Sequence, residues 1–127
     1  MLGTKDALIA YAKMMNNLNS IEFESLLDDN FSYESQAVLT PIISKQEFID
    51  FIRQKLEAMK VAKVKIFAEL AQLSAYGQSD CVVVAQGEKD NLIATVFVSL
   101  TGNKITKIDM CLIPEPRNAI RSGVYPS

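Results

Sequence analysis

Apolar side chains near the start of the chain recur every three to four positions, at Leu8, Tyr11, Met15 and Leu18, with Ala7, Ala12 and Met14 widening the stripe. That spacing predicts an amphipathic helix from Thr4 to about Leu18. Asn16, Asn17 and Asn19 break it, and Ser20 stands as the N-cap of a short second helix carrying Ile21, Phe23, Leu26 and Leu27. LLDDNFSYES, Leu26 to Ser35, closes this helical pair with two acids and then turns to a period of two. Phe31, Tyr33 and Ser35 then fall on one face and Ser32, Glu34 and Gln36 on the other, the pattern of a half-buried strand. Asp28 and Asp29 shape the turn into it, because aspartate readily accepts from nearby backbone amides. Pro41 interrupts the extended segment that follows and predicts a short edge strand or a turn.

Ser44-Lys45-Gln46-Glu47 has the S-x-x-E form of a capping box and opens a third helix that ends near Lys60. Phe48, Phe51, Ile52, Leu56 and Met59 are its buried stripe, and Lys45, Asp50, Arg53, Gln54 and Glu57 its wet side. Beyond Val61 the period is again two. In Val61 to Leu73 the even positions are apolar, although Phe67 breaks the polar face and predicts a contact there too. Asp80 to Gly87, Leu92 to Leu100 and Lys104 to Ile113 are further strands, joined by connections short enough for hairpins around Tyr76-Gly77, Asp90-Asn91 and Gly102-Asn103. An antiparallel meander is expected. Pro114, Pro116, Gly123 and Pro126 punctuate residues 114–127, which are expected to lack regular structure, with Ile120, Val124 and Tyr125 as anchors. The whole reads as one domain, 1–127, with its core at about 4–113.

With 127 residues the chain suits one hydrophobic core. Its 15 acids and 13 bases are mixed along the sequence, so no basic face for nucleic acid is expected. Cys81 and Cys111 lie in apolar runs and read as buried hydrophobes rather than metal ligands. No stretch approaches the length of a membrane helix and the amino terminus is unlike a signal peptide, so a soluble, cytoplasmic protein is expected, without metal or cofactor. The absence of histidine removes the commonest acid/base near neutral pH. Proton transfer would fall to a carboxylate, tyrosine or lysine.

Helix, short helix, strand, helix and long antiparallel strands, taken with LLDDNFSYES, resemble the nuclear transport factor 2-like superfamily, which includes ketosteroid isomerases and SnoaL-like polyketide cyclases. The resemblance implies an α+β cone, a curved antiparallel sheet wrapped around amino-terminal helices and enclosing a cavity. On it, Tyr11 falls on the isomerase tyrosine that donates to the enolate oxygen, Ser35 on the general-base aspartate and Val96 on the second acid. Serine is a poor carbon base and valine has no proton, so ketosteroid isomerisation is not expected. A one-residue slip would make Glu34 the base, but it would also turn Phe31, Tyr33 and Ser35 outward.

The expected function is a small-molecule-binding domain for an apolar or ring-containing molecule, with the pocket lined by Tyr11, Tyr33, Ser35, Phe51, Val84, Gln86, Val96, Val98, Met110 and Leu112. Tyr11 reads equally as a core residue. Two alternatives stay open: a lyase or isomerase with Glu34 as base and Tyr11 as electrophile, and an interaction module. The resemblance also implies a homodimer through the outer sheet face, where Phe67, Ile93, Thr95, Phe97, Cys111 and Ile113 fall.

Overall fold

Why the helices end where they do sets the chain's path. A computed structural model describes residues 2–36, 44–75 and 77–127. Helix α1 (Thr4–Asn17) starts with the Asp6 carboxylate accepting from Gly3 N at 3.0 Å. It stops when Leu18 turns left-handed, at φ 52°, and Asn19 N bonds back to Met14 O. Helix α2 (Ile21–Glu24) is a single turn. The amide of its first residue is held by Asn19 Oδ1, whereas Ser20, the expected cap, donates its hydroxyl to Glu24 at 2.6 Å. Helix α3 (Lys45–Val61) begins with Ser44 Oγ accepting from Glu47 N at 2.9 Å, the serine half of the expected capping box. It ends on Lys63 at φ 56°, with Lys63 N bonded to Lys60 O and Val64 N to Met59 O, a Schellman closure without glycine.

Five strands follow the period-two segments, β1 (Leu27–Ser35), β2 (Ile66–Ala75), β3 (Gln78–Gln86), β4 (Leu92–Thr101) and β5 (Lys104–Cys111), and a sixth, β6 (Ile120–Arg121), lies near the carboxy terminus. They form one curved, unclosed sheet in the order β1-β5-β4-β3-β2-β6. The expected meander accounts for β2 to β5, all antiparallel, while β1 adds to β5 in parallel. Asp28 Oδ2 accepts from Asn30 N at 2.8 Å, the backbone role expected of the acidic pair. The expected break at Pro41 and the turn residue Tyr76 lie outside the described residues.

The inner face of the sheet packs against α1 and α3. Leu8, Tyr11, Phe31, Phe48, Val82, Val96 and Ile108 belong to this main core. The outer face has a smaller cluster of its own, Ala71, Cys81, Val83, Phe97 and Cys111, with Ala119 of the carboxy-terminal segment packed against it.

That segment corrects the expectation of an irregular tail. Residues Pro116–Asn118 form a 3-10 turn, and β6 pairs with β2 at Ala71 and Gln72. Its hub is Glu69, a buried carboxylate on β2 that accepts from Arg121 Nε at 2.7 Å, Gly123 N at 2.8 Å and Tyr125 Oη at 3.1 Å. Arg121 also bonds Asp90, and the Tyr125 ring meets Phe67 edge-on at 6.5 Å. A charge is buried at acceptable cost only when it is bonded this fully.

The segment also corrects the expected interface. Phe97 is 0% exposed and Cys111 and Thr95 are buried within the single chain, so they are not available to a second copy.

Candidate functional site

The best-defined constellation of polar atoms within the cone lies where α1, β1, α3 and β5 converge. Tyr33 and Ser35, two residues apart on β1, both point to the inner face, and both hydroxyls reach the sulfur of Met110, their neighbour on β5. The Tyr33 bond is 3.2 Å and the Ser35 contact 3.6 Å. Aromatic rings wall this corner. Phe48 stands 4.9 Å from Phe31 and 5.2 Å from Tyr33, and Phe51 stands 5.7 Å from Tyr33, all tilted, within the range where ring pairs attract.

Tyr11 enters from α1 with its ring edge-on to Phe23 at 5.8 Å. It is 4% exposed, and its hydroxyl makes no hydrogen bond among the described residues. Burial pushes its phenol far above the ordinary value, and Tyr33 adds to the effect. Tyr33 is raised by burial too, against an opposing bond from Ser35. Both phenols therefore stay protonated and act as donors at neutral pH.

Lys55 completes the corner and was not legible as a site residue. It follows Phe51 by one helical turn and is half-buried, its Nζ 5.6 Å from the Phe51 ring centre. Burial alone lowers its pKa. The signal was its place four residues from both Phe51 and Met59, at the border of the apolar stripe.

The remaining expected pocket residues divide by burial. Val84, Val96 and Val98 are packed into the main core on the inner face, and Phe51 and Met110 are half-buried against it. Two corrections follow at the rim. Gln86 is exposed, because it lies four residues along β3 from Val82, about 13 Å from the row Ser35, Met110, Val96. Its backbone is instead held in the β3–β4 hairpin by Asn91. Leu112 lies past the end of β5 and is also exposed.

Glu34 is the third correction. Its side chain is 52% exposed on the outer face and lies 3.4 Å from Lys107, which also pairs with Asp109 at 3.4 Å. The sheet separates it from Tyr11, so the pair cannot meet as base and electrophile. Glu69, the buried carboxylate, is likewise on the outer face and already bonded. Among the described residues no group of histidine, cysteine or carboxylate could hold a metal ion, and no helix is long and apolar enough to cross a membrane.

No family model and no curated protein matches the chain. Solved structures do. An NTF2-like protein of unknown function from Cytophaga hutchinsonii superposes with TM-score 0.60 at 15% identity, covering 92% of this chain and 96% of that one. A polyketide cyclase-like protein from Sinorhizobium meliloti gives 0.58 at 8% identity, covering 84% and 94%. A protein with a ketosteroid isomerase-like fold from Catenulispora acidiphila gives 0.56 at 14% identity, covering 86% of each chain. Likeness of this extent at such low identity carries the fold and not the chemistry. The chain therefore has the α+β cone fold of the nuclear transport factor 2-like proteins.

Proposed function

We propose that the protein is a small-molecule-binding domain whose cone interior takes an apolar, ring-containing ligand bearing a hydrogen-bond acceptor. The observation that carries this reading is the Tyr11 hydroxyl, carried by a buried residue and without a hydrogen bond among the described residues, while not itself sealed off. An unpaired donor at the wall of an apolar interior is one that a ligand carbonyl or ether would satisfy. The aromatic wall of Phe31, Tyr33, Phe48 and Phe51 supports a flat, apolar partner, and the Tyr33 and Ser35 hydroxyls, now turned to a soft sulfur acceptor, supply further donors. Binding rather than catalysis is favoured because the inner face offers no carboxylate among the described residues, and a carbon acid needs a positioned base.

Thermal unfolding with a panel of ring ketones and their deoxygenated counterparts tests the reading. Binding to the folded state alone must raise the melting temperature. Ketones should shift it more than their counterparts, and Tyr11→Phe should abolish that difference while leaving the ligand-free protein as stable as before or slightly more so. A panel without any shift, together with a Tyr11→Phe variant clearly less stable than wild type, would make Tyr11 a structural residue and end the proposal.

Pairing of two chains is a second reading, supported by what the carboxy-terminal segment leaves open on the outer face. Ile93 remains partly exposed and Ile113 is 73% exposed. Light scattering at micromolar concentration should report twice the chain mass, and Ile113→Glu should halve it; a monomer at high concentration removes this reading.

A further inference from the structure

We infer that the ligand of this interior is an anion, a ring-bearing carboxylate whose charge is held by Lys55. The inference rests on the binding reading above and names the chemical class of the ligand. Three lysines of the described chain are half-buried: Lys45, Lys55 and Lys107. Lys45 has Asp29 at 3.6 Å, and Lys107 has both Glu34 and Asp109 at 3.4 Å. Lys55 has no carboxylate within ion-pair distance among the described residues. The residues outside the description contain no aspartate or glutamate that could supply one. Its own helix offers none either, since the positions three and four residues away are Phe51, Ile52, Ala58 and Met59.

Position makes the missing partner informative. Phe51, Lys55 and Met59 form one row along α3, spaced a turn apart. Phe51 and Met59 are both half-buried against the main core, so the row runs along the border of the buried face of α3 rather than on its wet side. It begins at Phe51, beside Tyr33, and runs toward the carboxy-terminal end of α3. The ammonium rests over the Phe51 ring at 5.6 Å, a cation–π contact that orients it without neutralising it. Burial alone, with no neighbouring charge, lowers its pKa. A partly dehydrated cation beside an aromatic wall is a complementary site for an aromatic or alicyclic acid, with the rings against Phe51 and Tyr33 and the carboxylate on Nζ.

Calorimetric or NMR titration of benzoate, 2-naphthoate and anthracene-2-carboxylate, each against its neutral carboxamide, decides the matter. Wild type should bind at least one acid ten times or more tightly than its amide. Lys55→Met, which suits the apolar row and should fold, is expected to weaken the acid to the level of the amide without changing the amide. Lys55→Arg should keep most of the preference. As a direct readout, the 13C signal of reductively methylated Lys55 should move on adding the acid and stay still with the amide. Equal affinity of acids and amides for wild type, or a preference that survives Lys55→Met, overturns the role of Lys55 and leaves the binding reading standing. No binding of any acid or amide overturns both.

Discussion

Asn16, in the last turn of α1, grips both backbone groups of Ala68 on β2: its Nδ2 donates to Ala68 O at 2.9 Å and its Oδ1 accepts from Ala68 N at 2.6 Å. The same Nδ2 donates to Pro126 O at 2.6 Å. Two residues along, the free edge of β2 is taken by the carboxy-terminal segment, with Leu70 N bonded to Val124 O and Ser122 N to Leu70 O. One side-chain amide thus continues the work of a strand and joins helix, sheet and tail. An edge left open would expose a row of unpaired donors and acceptors.

Asn16→Ala should therefore lower unfolding stability by about 2–3 kcal/mol, because it takes a partner from three partly buried backbone groups, Ala68 N, Ala68 O and Pro126 O. Urea denaturation is the measurement, with an unchanged slope expected. A midpoint equal to wild type would mean that water serves Ala68 equally well.

Lys63→Gly should stabilise the protein by about 1 kcal/mol. Lys63 is exposed and left-handed, at φ 56°, a conformation that costs a side chain with a Cβ about 1–2 kcal/mol and glycine almost nothing. Part of that gain is lost to the greater freedom of glycine in the unfolded chain. Thermal and urea midpoints should both rise.

Acid stability should depend on Glu24. Arg53 binds both its carboxylate oxygens, at 2.6 and 2.9 Å, and holds its pKa below the ordinary value, aided by the Ser20 hydroxyl and opposed by burial. A carboxyl depressed in the folded state contributes stability that is fully present above its unfolded pKa and is lost as pH falls through the folded one. Glu24→Gln should accordingly be less stable than wild type at pH 7, and the gap should narrow as pH falls through and below the ordinary glutamate value of 4.5. A gap independent of pH would show that the ion pair contributes nothing.

Phe97→Ala should cost about 3–5 kcal/mol, because the ring is wholly buried under the chain's own tail and its loss leaves a cavity. Phe97→Glu should fail to fold cooperatively. A folded, monomeric Phe97→Glu protein would mean that the outer-face cluster opens freely.

Wild type should show no proton abstraction from a 3-oxo-Δ5 steroid, for want of an inner carboxylate. Ser35→Asp places one beside Tyr33 and Met110, where burial would raise its pKa, and is the variant in which turnover is expected if any appears. Steroid turnover by wild type that Glu34→Gln removes would require β1 to adopt the other register.

Much of the site's inner wall was legible because a strand has a period of two wherever one face is buried: Phe31, Tyr33 and Ser35 follow from alternation alone. Alternation says nothing about where a sheet ends, which is why it carries Gln86 and Leu112 onto the pocket face although both are exposed. Helix ends were harder. Leu18 and Lys63 close α1 and α3 in a conformation that sequence reading associates with glycine. Lys55 belongs to neither the apolar stripe nor the wet side by periodicity alone, and only packing against Phe51 assigns it.

The sequence by itself determined the order of the elements, the inward faces of α1, α3 and β1 to β5, and the absence of histidine chemistry, because these are local or compositional properties. Only the tertiary structure decided that β1 lies parallel to β5, that a two-residue β6 and Glu69 bind the tail to the sheet, and that Glu34 meets Lys107 outside the cone. Each of these depends on groups brought together from distant parts of the chain. β6 is too short to show a period, and its pairing with β2 is stabilised by contacts of Arg121 and Tyr125 with a carboxylate more than fifty positions away. A buried charge and its partner are selected for each other in space, and spacing along the chain carries no record of that choice.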